Sequence, residues 1–126
     1  MVKKFQGATG LKVAVIGDED TVVGFLMAGI GTKDGQGRTN FQVVTPKSRQ
    51  ADIEDTFKAF TTRQDVAVVL INQHVAEQIR HVVDMHTAIV PTVLEIPSKS
   101  EPYDAAKDSV MQRVKFFFGG QIPDVA

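Results

Sequence analysis

The chain has 126 residues, 43% of them hydrophobic, a length and composition typical of one domain with a sizeable core. Its 14 Lys and Arg residues nearly balance 15 Asp and Glu residues and are scattered, so no nucleic-acid partner is indicated. The absence of cysteine excludes disulfides and thiolate metal sites, and no apolar run approaches the ~20 residues that cross a bilayer, so membrane insertion is not expected.

The first ten residues are polar apart from Phe5 and lack the apolar core of a signal peptide, so we expect a flexible tail. Residues 11–16 are mostly apolar and predict a strand that is buried on both faces. Asp18, Glu19 and Asp20 follow, where the strand ends and a helix begins. Acids at this position cap free N–H groups and complement the helix dipole, and the apolar spacing after them predicts a helix that two glycines end.

The middle of the chain continues this alternation. Residues 32–40 are polar, contain two glycines and predict a mobile loop. Residues 41–44 predict a short second strand, and the apolar residues of segment 48–60 share one face of a helix. Segment 65–72 is the strongest strand signal, because its six consecutive apolar residues fit a central parallel strand. Residues 73–85 predict one further helix.

A fourth strand is predicted at residues 89–96, and Pro91 places it at an edge of the sheet because proline cannot donate a ladder hydrogen bond. The alternation of strands and helices favours a parallel sheet with helices on both faces. We therefore expect an α/β fold that is flavodoxin- or receiver-like, with four strands in the order 2-1-3-4. The α/β domain is predicted to span residues 11–97.

A separate C-terminal element is predicted after this domain. The polar segment 98–102 is bracketed by prolines and predicts a linker. Residues 103–120 predict an amphipathic helix, with Asp104 as its cap and two glycines at its end, and residues 121–126 form a tail. The apolar stripe of this helix consists of Ala106, Val110, Val114 and Phe117, with Met111 and Phe118 beside it. We expect the stripe to fold back on the domain or to contact another chain.

The carboxyl edge of the predicted sheet is the best candidate for a small-molecule site, because ligands bind there in open α/β sheets. The polar residues at this edge are Asp18, Glu19 and Asp20 after the first strand and Asn72, Gln73 and His74 after the third. Helix capping explains the same residues without a ligand. A phosphoacceptor receiver domain would need a nucleophilic aspartate at the end of the third strand, where this chain has Asn72.

A second candidate site lies on the helix predicted after the third strand. His74, Glu77 and His81 share one helix face at spacings i, i+3 and i+7, and two imidazoles with a carboxylate are zinc ligands. The sequence offers no evident fourth ligand, although His86 is nearby, and a solvated helix face that includes Arg80 explains the same residues. No glycine-rich phosphate loop follows a strand and no nucleophile elbow is present, so nucleotide binding and nucleophilic catalysis are not indicated.

Several segments taken together resemble the F subunit of the eukaryotic vacuolar-type proton-translocating ATPase, the V-type ATPase. They are residues 16–31 (IGDEDTVVGFLMAGIG), 69–80 (VLINQHVAEQIR), 91–99 (PTVLEIPSK), 102–104 (PYD) and 107–109 (KDS). The resemblance covers nearly the whole chain in this order and spacing, and it is weakest in residues 1–10 and after Gly120.

The resemblance implies a non-catalytic rotor part without a cofactor. In that family the F subunit pairs with an elongated coiled-coil D subunit to form the central stalk, which turns inside a ring of catalytic A and B subunits. The stalk meets the membrane rotor through another subunit, and ATP hydrolysis elsewhere drives rotation and proton transport. The implied location is the cytoplasmic side of vacuolar and endosomal membranes, peripheral through the complex, or the cytosol when the soluble sector detaches.

We predict partner contacts on two segments, the final helix against the stalk coiled coil and the loop 32–40 against other subunits. The residues predicted to make these contacts are Thr32, Lys33, Arg38, Val110, Met111, Arg113, Val114, Phe117 and Phe118. Two other classes of function stay open. A small-ligand or metal sensor would show a ligand-dependent melting shift, and a degenerate receiver-like adaptor would bind signalling proteins and form no stalk complex.

Overall fold

The structure is a computed structural model that describes residues 10–119. The predicted tails, 1–10 and 121–126, lie outside these residues except for Gly10. The elements are β1 (Lys12–Gly17), α1 (Glu19–Met27), β2 (Phe41–Val43), α2 (Gln50–Thr62), β3 (Val66–Asn72), α3 (Gln73–Gln78), α4 (Arg80–Met85), β4 (Thr92–Ile96), a 3₁₀ turn (Ala105–Lys107) and α5 (Ser109–Phe117). The strands form one parallel sheet in the order β2-β1-β3-β4, which confirms the predicted α/β fold and strand order.

One side of the sheet, the closed face, carries the main hydrophobic core. Side chains alternate along a strand, and the register pairs Ala14 with Val69 and Val69 with Val93, so these three residues point to the same side. Helices α2, α3 and α4 cover this side with apolar residues that are buried in one cluster. The helical members of the cluster are Ile53, Phe57, Phe60, Val75, Ala76, Ile79, Val82 and Val83.

The opposite side, the open face, is covered only in part. It is defined by Val13, Val68, Leu70, Leu94 and Ile96, which the register places together. Helix α1 packs on this face over β1 and β2, where Val15 and Val22 are fully buried. Over β3 and β4 the face stays partly in contact with water, since Leu94 is 46% exposed and Val68, Leu70 and Ile96 are only half-buried.

The prediction of one continuous helix at residues 73–85 is wrong, because the structure has two helices there. Ile79 leaves the helical region (φ −121°, ψ 31°) and divides the segment into α3 and α4. Its N–H bonds to the Ala76 carbonyl instead of continuing the helical pattern. Ile79 is itself fully buried, and the break lets apolar residues on both sides of it enter the closed-face core.

The final helix predicted at residues 103–120 is also shorter than expected. Asp104 caps only the 3₁₀ turn, by accepting a hydrogen bond from the Ala106 N–H, so the stripe residue Ala106 lies outside α5 and is exposed. Asp108 then interrupts the helix and caps α5, because its carboxylate accepts from the Val110 N–H. Two acids at four-residue spacing thus divide the segment into two elements. The linker 98–102 lies before both and is closed by a hydrogen bond from the Ser98 N–H to the Glu101 carbonyl.

Candidate functional site

Asn72 joins the carboxyl ends of three strands. The side chain is fully buried, and its Oδ1 accepts a hydrogen bond from the Asp18 N–H at 2.8 Å. Its Nδ2 donates to the Thr21 hydroxyl at 3.2 Å and to the Pro97 carbonyl at 3.1 Å. Both donors of the amide are therefore used inside the protein. Asn72, which the sequence suggested as part of a small-molecule site, therefore holds β1, β3 and β4 together at this edge.

The three acids beside Asn72 follow the capping interpretation. Asp18 is the N-cap of α1 and accepts a hydrogen bond from the Thr21 N–H at 2.8 Å. Glu19 and Asp20 are exposed in the first turn, and Asp20 lies 3.4 Å from the ammonium group of Lys99. The acids thus complement the dipole at the start of α1, and they line one open cavity together with Thr45 after β2 and Lys99 after β4.

Gln73 anchors the segment that leads to α5. It is 6% exposed, and its amide makes two opposite hydrogen bonds with the backbone of Asp104. The side-chain oxygen accepts from the Asp104 N–H at 2.7 Å, and the side-chain nitrogen donates to the Asp104 carbonyl at 2.8 Å. The same nitrogen also donates to Glu95 Oε1 at 3.3 Å, so both donors of the Gln73 amide are used inside the protein.

A buried polar cluster, the Glu95 clamp, fixes the start of α5 to the domain. It consists of Glu95, Arg80, Ser109 and Asp84. Arg80 donates from two guanidinium nitrogens to the Glu95 carboxylate at 2.7 and 2.9 Å, and its Nη1 also donates to the Ser109 hydroxyl at 2.8 Å. The Ser109 N–H donates to Glu95 at 3.2 Å, and the Ser109 hydroxyl bonds to Asp84. One charge pair thus joins α4, β4 and α5.

The clamp corrects the interpretation of Arg80 as part of a solvated helix face. The Glu95 side chain is only 2% exposed, and its hydrogen bonds to Arg80 raise the pKa of the guanidinium above its usual value. Because a buried carboxylate needs a partner, Arg80 and Glu95 depend on each other. The sequence held a signal for this pair, since both residues lie in the segments that carry the family resemblance, but their 15-residue separation concealed the contact.

The predicted zinc ligands do not converge. His81 points to Glu54 at 3.0 Å, and Glu77 pairs with Lys107 at 3.3 Å, so two of the three side chains turn to different neighbours. Within residues 10–119 no group of three His, Cys, Asp or Glu side chains is arranged to hold a metal ion. The metal-sensor interpretation of this cluster is therefore not supported.

Helix α5 presents its aromatic end to solvent. Phe116 and Phe117 are 85% and 87% exposed, and Phe118 is exposed as well. Earlier in the helix, Val110, Met111 and Val114 are half-buried. The Arg113 guanidinium donates to the His86 carbonyl at 3.3 Å, which gives α5 a second contact with the end of α4. The helix is thus fixed at its start and along its side, while its last turn offers three adjacent phenylalanines.

The loop 32–40 is an ordered turn held by Asp34. Its carboxylate accepts hydrogen bonds from the N–H groups of Gln36 and Arg38 and from the Arg38 side chain at 2.8 Å, which lowers the pKa of Asp34 to about 2. Arg63 donates to the Thr39 carbonyl at 2.9 Å and ties the base of the turn to the end of α2. Its predicted mobility stays a prediction, although these contacts define one conformation.

Comparison with known proteins identifies the family. The family model described as ATP synthase (F/14-kDa) subunit matches residues 13–114. The F subunit of the V-type proton ATPase of Dictyostelium discoideum is 54% identical over 94% of this chain and 98% of its own length. The human protein of the same name is 51% identical over 86% of this chain and 92% of its own length. The chain belongs to the family of V-type proton ATPase F subunits.

The fold agrees with this family assignment. The crystal structure of the F subunit of the V-type ATP synthase of Archaeoglobus fulgidus matches with a TM-score of 0.50 and 25% identity, over 70% of this chain and 99% of that one. Within residues 10–119, no helix combines the length and apolarity that a membrane crossing needs. Family membership confirms the resemblance drawn from the sequence segments. The exposed surfaces of the molecule, rather than the carboxyl edge of the sheet, are therefore the better candidates for a functional site.

Proposed function

We propose that the chain is a non-catalytic central-stalk subunit of a V-type ATPase, which couples ATP hydrolysis in the catalytic head to rotation and proton transport. The exposed aromatic end of α5 carries the proposal, because an anchored helix that presents adjacent phenylalanines to water is a contact surface in need of a partner. The use of Asn72 and Gln73 for internal hydrogen bonds supports a role without chemistry at the carboxyl edge.

The partner proposed for α5 is the coiled-coil D subunit of the stalk. A coiled coil presents the outer sides of its long helices, and a short amphipathic helix packs against such a surface side by side. Val110, Val114 and Phe117 follow one helical stripe, and exposure increases along it from half-buried Val110 to Phe117 at 87%. The C-terminal half of α5 is therefore the part that the partner would cover, and Phe116 joins the residues predicted from the sequence.

The loop 32–40 is proposed to contact the catalytic A and B subunits. It sits before β2, at the amino edge of the sheet, and its Asp34 and Arg63 contacts hold Thr32, Lys33 and Arg38 in a defined arrangement. In the assembled complex, a short amine-reactive cross-linker attached to Lys33 is expected to link this chain to a subunit of the catalytic head. Cross-links from Lys33 to the stalk alone would contradict this contact.

The proposed location follows from the complex. The chain would lie on the cytoplasmic side of vacuolar and endosomal membranes, held through a subunit that links the stalk to the membrane rotor, and would be free in the cytosol when the soluble sector detaches. Fluorescence of the tagged chain is expected on these membranes and to become diffuse when assembly is blocked. Membrane signal that persists without the other subunits would contradict a purely peripheral attachment.

The test is a double substitution in the aromatic end, Phe116→Ser with Phe117→Ser, measured by titration calorimetry against the coiled-coil subunit. Both side chains are exposed, so the isolated chain is expected to melt as the wild type does. Binding is expected to weaken about 30-fold, the size of an interface hot spot. The matched control is Ile89→Ser, because Ile89 is an apolar residue that is 77% exposed and lies outside α1 and α5.

Unchanged affinity of the double variant would move the interface away from α5. No binding of the wild-type chain would overturn the stalk assignment. The isolated chain is expected to hydrolyse no ATP, and measurable turnover that follows the monomer through purification would contradict the non-catalytic role.

A further inference from the structure

The open face has a gap that no helix within residues 10–119 covers. Parallel sheets are ordinarily covered on both faces, and here α1 covers only the β1–β2 half of one face. The β3–β4 half carries Leu70, Leu94 and Ile96, an apolar surface that is only half-buried. We call this gap the α1 slot, with Leu94 and Ile96 as its floor and α1 as its wall.

The width of the α1 slot corresponds to one α-helix. Two adjacent strands extend about 10 Å across a sheet, and an α-helix with its side chains has a diameter of about 10 Å. The wall residues Gly24, Phe25 and Ala28 line one groove together with Ile96 and Pro97. Asp20, at the carboxyl edge, is the charged residue of this lining.

The glycine at position 24, on the wall of the α1 slot, also indicates that a partner packs there. It lies inside α1 with ordinary helical geometry, and a Cβ at this position would meet no atom within 4 Å. The chain therefore does not need glycine here for its own packing, and glycine weakens a helix relative to alanine. Ala28 follows one turn later on the same wall. Small residues four apart let a second backbone come close to α1.

The chain's own last helix is held elsewhere. Consecutive residues of β4 point to opposite faces, so Leu94 forms the floor of the slot while Glu95 binds Arg80 and the Ser109 N–H on the other side. The Glu95 clamp thus keeps α5 at the closed face. The slot and the α5 surface flank β4, the edge strand, which makes them two sides of one continuous surface.

We infer that the α1 slot binds an amphipathic α-helix of a neighbouring subunit, with a small residue opposite Gly24 and a Lys or Arg near the acids at the start of α1. The charge follows from Asp18, Glu19 and Asp20, of which Asp20 pairs with the 84% exposed Lys99 side chain. The inference rests on the proposed stalk function and deepens it: one helix of the coiled coil would fill the slot while α5 packs beside it.

The experiment titrates the coiled-coil stalk subunit into the full chain carrying Gly24→Leu or, separately, Leu94→Asp. Leucine at position 24 points into open space in the isolated chain, so its melting temperature is expected to stay at or above that of the wild type. Each variant is expected to weaken binding about 30-fold. The matched control is Ala59→Leu, a small-to-large change on the exposed side of α2, with unchanged affinity expected.

The outcomes separate this inference from the function on which it rests. Binding that falls with the Phe116/Phe117 pair but not with Gly24→Leu or Leu94→Asp would overturn the slot and leave the stalk function standing. Binding that falls with all of these and not with Ala59→Leu supports both. A wild-type chain that does not bind the stalk subunit overturns both. A dimer in light scattering that Gly24→Leu converts to a monomer would assign the slot to a second copy and overturn the inference.

Discussion

The two faces of the sheet differ in how they are completed. On the closed face, three helices bury a continuous core, and the Glu95 clamp adds the start of a fourth. On the open face, one helix covers half of the sheet and leaves Leu94 46% exposed. Stability is therefore concentrated on one face, and the other face and the end of α5 remain available for partners. This division is what a subunit needs when it folds alone and is completed by assembly.

The largest expected effect comes from opening the closed-face core. Phe57 is 1% exposed and lies among the buried residues of α2. Phe57→Ala is expected to lower the free energy of unfolding by about 4 kcal/mol, because the removed ring leaves a cavity in a packed core. Urea denaturation monitored by circular dichroism measures this loss in the free energy of unfolding. A loss below about 1 kcal/mol would mean that the closed face is not the stability centre.

Breaking the Glu95 clamp is expected to have the next largest effect. Arg80→Met keeps an unbranched apolar stem but removes the guanidinium, so the buried Glu95 carboxylate loses its charge partner. The expected loss is about 3 kcal/mol in urea denaturation, toward the low end for a broken buried pair because Arg80 keeps 24% of its side chain exposed. The control is Arg49→Met, which removes an exposed pair with Asp52 and is expected to leave the free energy of unfolding nearly unchanged. Equal costs for the two would contradict the clamp.

A comparable side-chain truncation on the open face tests whether the two faces differ in packing. Leu94→Ala removes a side chain that is already 46% exposed, so the isolated chain is expected to lose about 1 kcal/mol. The same denaturation experiment used for Phe57→Ala gives the comparison directly. A loss as large as that of Phe57→Ala would show that the open face is packed like a core, and the contrast between the faces would fail.

The smallest expected effect is a gain. Gly24→Ala adds a Cβ into open space inside α1, so the isolated chain is expected to become about 0.5 kcal/mol more stable. Thermal melting measures this gain, with Gly17→Ala as the opposite case. A Cβ at Gly17 would lie 2.3 Å from the Asn72 Oδ1, so that variant is expected to be destabilised. If Gly24→Ala destabilised the chain, position 24 would not be open.

The sequence predicted the sheet well because its signals are local. Apolar runs and capping acids indicated four strands, their order and the start of α1 at Asp18. The break at Ile79 was missed because no proline or glycine marks it in the sequence, and Ile79 is itself a buried apolar residue that fits a helical pattern. The late start of α5 was missed because Asp104 and Asp108 are both good caps, and only tertiary contacts decide between them.

The candidate site was harder to predict, because the same polar side chains can either bind a ligand or form hydrogen bonds within the protein. Asn72 and Gln73 were correctly placed at the carboxyl edge, but their partners Pro97 and Asp104 lie 25 and 31 residues away, and only the fold shows that these contacts use their donors. The open half of the sheet has no sequence signature, since Leu94 and Val93 are similar residues on opposite faces. Partner residues on α5 stay predictions until a complex is measured.

The decisive measurement is hydrogen–deuterium exchange of the chain with and without the coiled-coil stalk subunit. If the exposed surfaces bind this partner, complex formation is expected to protect α5 around residues 110–118 and the α1 slot at residues 21–28 and 92–97, with no change in α2. Protection confined to α2, α3 and α4, or no complex at all, would contradict the assignment of the exposed surfaces to assembly.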